Sequence, residues 1–310
     1  MYNLQAVIPE HIVGTAFAGC WSCEDPVRSC APGEVCPGKE RRLSQKQFDP
    51  EEVARFENAT WSRCTETYAD GFGALVGEAI GPLLDQVKLS EGDRVLDVGT
   101  GIGLVAAAVV ERGAEVVGID FSDAMIAEAR RLHRSIEFQT ASADSLPSED
   151  GMFDAVVGNF VLHHTGQPNK VLGEAFRVLR EGGRAGFTVW ADPSKLEAFG
   201  LFFSVVEEHA GTVEFPHGPL FGVSDFDDFH SMVREAGFRD SAVRELPIQW
   251  RTESLDSYLA GFCDWANLDT LPGPSRDRIE TMVRERAEAY RSGDAFVMPN
   301  PAILISGVKS

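Results

Sequence analysis

From residue 94 onward, apolar and polar positions change period in a regular alternation. Arg94-Val-Leu-Asp-Val98 is a short, nearly apolar run that predicts a buried strand, and it ends in the loop Gly99-Thr-Gly-Ile-Gly103. A helix is expected to follow through Val110, then a strand over 115–120 and a helix over 122–134. Strands over 136–140 and 153–159, a helix near 169–179 and a strand over 184–190 continue the rhythm. Such alternation predicts a mostly parallel sheet covered by helices on both faces. Upstream, residues 49–87 carry a helical period. Asp49-Pro50-Glu51-Glu52 reads as an N-cap and first turn, and Phe72, Leu75, Val76, Ala79, Ile80 and Leu83 recur at helical spacing. Ser90-Glu91-Gly92-Asp93 marks a turn.

Residues 191–227 break the alternation with a Phe- and Gly-rich stretch. A helix over 225–236 ending at Gly237, a strand over 242–251, helices over 255–265 and 275–290, and a last strand over 302–308 complete the expected elements. The organisation read from this pattern is an arm (1–48), a helical lid (49–89), a core (90–190, 228–251 and 294–310) and two cap insertions (191–227 and 252–293).

The 310 residues include 48 acidic and 28 basic side chains, a formal net charge of −20. A surface this acidic repels phosphate backbones and anionic membranes, so nucleic acid and membrane are not the expected partners. No run of eighteen apolar residues suggests a membrane span, and the first residues lack the basic start and apolar run of a secretory signal. A cytoplasmic location is expected.

The chemistry concentrates where strands meet loops. A glycine-rich turn from strand into helix lets backbone approach a ligand closely. Gly101-Ile102-Gly103-Leu104-Val105-Ala106 also fits a dinucleotide fingerprint, so the turn alone leaves a nicotinamide cofactor open. Asp97, two residues before Gly99, would repel a pyrophosphate and attract an ammonium. Asp120 ends the second strand, where a carboxylate accepts ribose hydroxyls from either kind of cofactor, and Phe121 follows it, placed to pack on adenine. After the third strand, the Ala143-Asp144 pair offers an N–H and a carboxylate to the edge of adenine.

In order, V-L-D-V-G-T-G-I-G, G-I-D-F-S, A-D-S-L-P and F-D-A-V-V-G-N-F-V-L-H-H resemble the class I S-adenosylmethionine-dependent methyltransferases, of the ubiquinone/menaquinone-biosynthesis type that acts on small molecules. The resemblance covers residues 61–190, with a weaker echo in Ala236-Gly237-Phe238 and the last strand. It implies a Rossmann-like, doubly wound, mostly parallel seven-stranded sheet with an N-terminal helical lid and a helical cap, and S-adenosyl-L-methionine as cofactor. It further implies that Asp97 with Gly99, Thr100, Gly101 and Gly103 holds the methionine moiety. Asp120 would bind the ribose, Phe121 would lie beside the adenine, and Ala143 and Asp144 would meet its edge. Asn159 and Phe160 would lie beneath the sulfonium, and Tyr68 resembles an aromatic of the family's lid.

Methyl transfer from a sulfonium is an in-line displacement that needs alignment and exclusion of water. A base helps only when the attacking atom carries a proton. His163 and His164 follow the fourth strand, where the family's acceptor reaches the methyl group; one would take that proton, or both would only shape the loop. Gly158-Asn159-Phe160-Val161 is not the N-P-P-Y type of tetrapeptide used on nucleic-acid bases, and no Pro-Cys nucleophile follows. A small metabolite is the expected acceptor. Trp190, Phe199, Phe202, Phe203, Phe215, Phe221, Phe262 and Trp265 would enclose an aromatic or apolar one, or form the cap's own core. A cyclase or binding protein using the cofactor structurally would carry the same cofactor site.

Four of the six cysteines, Cys20, Cys23, Cys30 and Cys36, fall within the Pro- and Gly-containing arm. Two converging pairs would make a closed zinc site, but the second spacing is long for a knuckle and the resemblance supplies no such site. Free thiols on an arm are the competing reading, and no metal ligand is assigned.

Overall fold

The computed structural model describes residues 49–211, 215–220 and 223–310. The expected strands form at Arg94–Val98 (β1), Glu115–Asp120 (β2), Glu137–Thr140 (β3), Phe153–Asn159 (β4), Leu179–Trp190 (β5), Arg239–Leu246 (β6) and Ala302–Val308 (β10). They build one seven-stranded sheet in the order β3-β2-β1-β4-β5-β10-β6, with β10 antiparallel to both neighbours and the other pairings parallel. Successive side chains point to opposite faces. Val95 and Val157 therefore join one apolar core, while Leu96, Val98 and Val156 join another. Strand order reverses between β1 and β4, and doubly wound sheets take their ligands in the crevice outside the carboxyl ends at that point.

The helical run over 49–87 resolves into Pro50–Cys64 (α1), Phe72–Gly77 (α2) and Ile80–Gln86 (α3). Asp49 caps α1, its Oδ1 accepting the N–H of Glu51 at 3.0 Å. Just before α2 the chain runs close to a neighbouring helix: a Cβ on Gly71 would lie 2.9 Å from the Thr67 carbonyl oxygen and 3.3 Å from the Cα of Gly261, on the helix Leu255–Trp265 (α9). Leu104–Glu111 (α4), Asp123–Leu132 (α5), Pro168–Val178 (α6) and Phe226–Glu235 (α8) cover the sheet as expected.

The larger differences lie in the cap. Within the Phe-rich stretch, Glu197–Ala210 is a helix (α7), and Gly273–Ala287 (α10) packs against it. The single strand expected over 242–251 is two strands in two sheets. Pro247, which has no N–H to donate, interrupts it, and Gln249–Thr252 (β7) pairs with Ala295–Pro299 (β9). Arg291–Ser292 (β8) completes a second sheet in the order β7-β9-β8.

The cysteines Cys20, Cys23, Cys30 and Cys36 and the aromatic Phe221 lie outside the described residues. Among the described residues, no three His, Cys, Asp or Glu side chains converge as a metal site, and no helix is long and apolar enough to cross a membrane.

Candidate active site

The loop between β1 and α4 is shaped by backbone that L side chains rarely adopt: Gly99, Gly101 and Gly103 have φ of 69°, 55° and 90°. A Cβ on Gly99 would meet Val161 Cγ2 at 2.6 Å, and one on Gly103 would meet His133 and Phe138 within 3 Å. At Gly101, by contrast, no described atom lies within 4 Å of that position. The turn is packed at Gly99 and Gly103 and open at Gly101.

Asp97 is wholly buried beside it. Its Oδ2 accepts the Thr100 hydroxyl at 2.6 Å, while Oδ1 has no hydrogen-bond partner among the described residues. Burial, reinforced by the charge of Asp120, pushes the Asp97 carboxyl up to about 7 against the Thr100 bond that opposes it. A buried carboxylate with one free oxygen is a site built for a cation. The α-ammonium of an amino-acid cofactor fits; a pyrophosphate does not.

Asp120 closes the other side. Its Oδ2 accepts the Gly101 N–H and its Oδ1 the Ser122 N–H, each at 2.9 Å. Burial raises its carboxyl in spite of those bonds. Tyr68 is pushed up by burial first, then by the charges of Asp120, Cys64 and Asp97, so lid and carboxylates share one neighbourhood. The Phe121 carbonyl accepts Asn58 Nδ2 at 3.2 Å, and the Ser122 and Ser62 hydroxyls are 3.2 Å apart, which seats α1 over the end of β2.

On the next loop, Asp144 accepts from the Ser142 hydroxyl at 2.6 Å and from Gln167 Nε2 at 3.2 Å, with Ala143 half-buried beside it. Asn159 is fully engaged: its Nδ2 donates to the Val76 carbonyl at 3.0 Å and its Oδ1 accepts the Thr188 hydroxyl at 2.6 Å. Phe160 follows at φ 60°, an uncommon conformation for a non-glycine residue, with its N–H 2.9 Å from Thr188 Oγ1 and its ring stacked on Trp190 at 3.9 Å.

The two histidines differ sharply. His163 is 4% exposed, and neither ring nitrogen has a partner among the described residues. Burial, then the neighbouring His164, holds it well below the ordinary imidazole range, so it is neutral. His164 is partly exposed, and its Nδ1 lies 3.1 Å from Oε2 of Glu57, a carboxylate only 3% exposed that also accepts the Trp61 indole N–H at 2.8 Å. Both histidines belong to a closed circuit of rings. His163 and His164 are 4.0 Å apart, His164 and Trp61 5.1 Å, Trp61 and Phe72 5.9 Å, Phe72 and Phe199 6.2 Å, Phe199 and Trp190 5.0 Å, and Trp190 and His163 6.3 Å.

Sequence reasoning missed Glu57, Asn58, Trp61 and Ser62, which lie along one face of α1. Their spacing of one, three and one residues was the available signal. Of the cap aromatics, Phe202 and Phe262 are fully buried and belong to the core, whereas Trp190, Phe199, Phe203, Phe215 and Trp265 are half-buried.

A family model described as a methyltransferase domain matches residues 96–187. The demethylmenaquinone methyltransferase of Beutenbergia cavernae is 37% identical over 174 residues, which cover 53% of this chain and 72% of that protein. Its namesake from Clavibacter sepedonicus is 32% identical, covering 50% of this chain and 69% of that protein. The one from Thermus thermophilus is 43% identical over 118 residues, 36% of this chain and about half (53%) of that protein. Among solved structures, a candidate methyltransferase from an antibiotic biosynthesis pathway of Anabaena variabilis aligns with a TM-score of 0.55 at 14% identity, over 73% of this chain and 96% of that one. The YcgJ protein of Bacillus subtilis aligns with a TM-score of 0.50 at 19% identity, over 75% and 98%. These two likenesses speak to the fold alone. With the strand order, the open acceptor on Asp97 and relatives matched over more than two thirds of their length, the chain belongs to the class I S-adenosylmethionine-dependent methyltransferases of the ubiquinone/menaquinone-biosynthesis type, which methylate small-molecule acceptors.

Proposed function

We propose that this chain methylates a flat, hydroxylated aromatic ring of the quinol class and that His164 takes the acceptor's proton. The observation that carries the reading is the closed circuit of rings that joins lid, β4 loop and cap and includes the two histidines. Aromatic walls favour flat rings by stacking and edge contacts, and exclude water from the transfer. Relatives named for demethylmenaquinone support the same acceptor chemistry.

When bound, S-adenosylmethionine supplies a methyl group on a positively charged sulfur. In this reading Asp97 Oδ1 pairs with the ammonium in the space left open at Gly101, beside Gly99, Thr100 and Gly103. Asp120 turns to the ribose hydroxyls, Phe121 packs on the adenine, Ala143 and Asp144 meet its edge, and Tyr68 closes from the lid. Asn159, held by Val76 and Thr188, braces the turn that sets Phe160 beneath the sulfur. His164 accepts the proton of a ring hydroxyl, which raises electron density on that oxygen and on the adjacent ring carbon, either of which then attacks. His163, neutral and packed near Trp190 and Phe160, holds the wall. We place the enzyme in the cytoplasm, where buried, unpaired thiols such as Cys64 and Cys263 stay reduced.

The test is S-adenosylhomocysteine release from anaerobic mixtures of enzyme and S-adenosylmethionine with 1,4-naphthoquinol, a simple phenol or an aliphatic primary amine. The quinol is expected to turn over fastest and the amine not at all. Turnover of the amine alone would overturn the reading.

A further inference from the structure

We infer that Glu57 is a positioning residue for the reaction, holding His164 in the tautomer that leaves Nε2 as the proton acceptor; the inference rests on the reading of His164 as the base. Glu57 Oε2 lies 3.1 Å from His164 Nδ1 and accepts the Trp61 indole N–H at 2.8 Å. No lysine or arginine pairs with this nearly buried carboxylate among the described residues. A buried carboxylate without a cation is costly to keep, so its partners carry information about its role. Trp61 can only donate, and its bond fixes the direction of Oε2. The remaining acceptor capacity faces an imidazole nitrogen, and a carboxylate can only accept. A carboxylate 3.1 Å from Nδ1 favours the tautomer with the hydrogen on Nδ1 and the lone pair on Nε2.

That is the arrangement of a base oriented by a third group. His163 lacks it entirely: it is one residue away and more deeply buried, but no carboxylate orients it. The pair also spans two elements that need each other. Glu57 comes from the lid helix α1, whose next residue, Asn58, bonds the Phe121 carbonyl at the cofactor edge. His164 comes from the turn after β4.

The experiment compares wild type with Glu57→Gln, Glu57→Asp and His164→Gln in the full chain, using imidazole nitrogen NMR and steady-state turnover of 1,4-naphthoquinol. In the wild type, the His164 spectrum should show Nδ1–H and a bare Nε2 without any acceptor present. Glu57→Gln keeps the shape and, because Trp61 can only donate, a carbonyl oxygen near Nδ1, but it removes the charge, so the hold on Nδ1–H should weaken and the Nε2–H tautomer should gain population. Its kcat should fall by roughly 10²-fold or more, the range of a lost or misoriented base, with S-adenosylhomocysteine affinity and the acceptor KM nearly unchanged. Glu57→Asp should restore part of the rate and the original tautomer. An unchanged tautomer in Glu57→Gln overturns the positioning role whatever the acceptor. If His164→Gln loses turnover while Glu57→Gln keeps it, the base stands and this inference falls. If His164→Gln keeps the full rate, both fall.

Discussion

The cofactor edge and the acceptor cap are built by opposite means. Around the glycine turn, a few polar groups are fixed by directional bonds: Asp120 receives the N–H groups of Gly101 and Ser122, and Thr100 donates to Asp97. Glycines stand where a Cβ would collide or φ is positive. In the cap, rings pack on rings. Phe262 touches Phe72, Phe199, Phe202, Phe203, Trp250 and Tyr258 with no polar bond of its own. Directional sites tolerate little change, whereas apolar cores accept many fillings of equal volume. The family model matches 96–187, and the second sheet and α7, α9 and α10 lie beyond it.

Breaking the cap should produce the largest effect. Phe262 is fully buried at the centre of its cluster, and Phe262→Ala should cost about 3–5 kcal/mol of stability by removing transfer energy and leaving a cavity. Urea unfolding measures the loss. Acceptor turnover should suffer more than cofactor binding, since none of the partners of Phe262 is on the glycine turn. Equal losses of both would mean that the two regions are not separable.

The next effect is on the cofactor side and depends on pH. Asp97→Asn should weaken S-adenosylhomocysteine by about 1.5–3 kcal/mol, roughly ten- to a hundred-fold by calorimetry, because a charge-assisted bond is lost. The ligand-free protein should respond in the other direction. The Asp97 carboxyl stands at about 7, above its ordinary 3.8, so its contribution to stability is full below about pH 4 and is lost as pH rises through 7. Asp97→Asn should remove that slope and melt no lower than wild type at pH 8. His163 gives the mirror image on the acceptor side: its value lies below the ordinary 6.5, so stability is present above that pH and is lost as pH falls. The two slopes oppose each other over much of the same range, so His163→Leu should remove the rise with pH and leave the fall that Asp97 gives. A melting profile in which each variant flattens the other's slope would refute the assignment.

Much of the cofactor edge was legible because its signals are local. Alternating periods gave β1 to β4, a helix cap gave Asp49, and glycines marked the turn. The cap hid itself for physical reasons. Helix α7 buries Ala198, Leu201, Phe202, Val205 and Val206 at helical spacing, but Gly200 and the surrounding phenylalanines blur that period into an apolar run. In the second sheet β7 pairs with β9 far along the chain, a pairing that no local pattern announces. Glu57 was invisible for the opposite reason: a glutamate on a helix reads as a solvated residue, and only the fold shows it turned inward onto His164.

The smallest effects should come from α1, which touches both regions with different residues. Asn58 bonds the Phe121 carbonyl and Ser62 meets Ser122 on the cofactor side, while Thr67, just past the helix, donates to Asp264 Oδ2 at 2.6 Å on the cap side. Each is a single bond at partly buried sites, worth about 0.5–1.5 kcal/mol. Asn58→Ala should therefore weaken S-adenosylhomocysteine by roughly two- to tenfold in calorimetry, and adding Ser62→Ala should weaken it further. Thr67→Val, which keeps the volume and removes the donor, should leave that affinity alone and raise the acceptor KM, because it loosens the lid only where it meets α9. If Thr67→Val weakens the cofactor as much as Asn58→Ala does, the lid moves as one rigid piece. Its two faces would then not report separately on the two halves of the site.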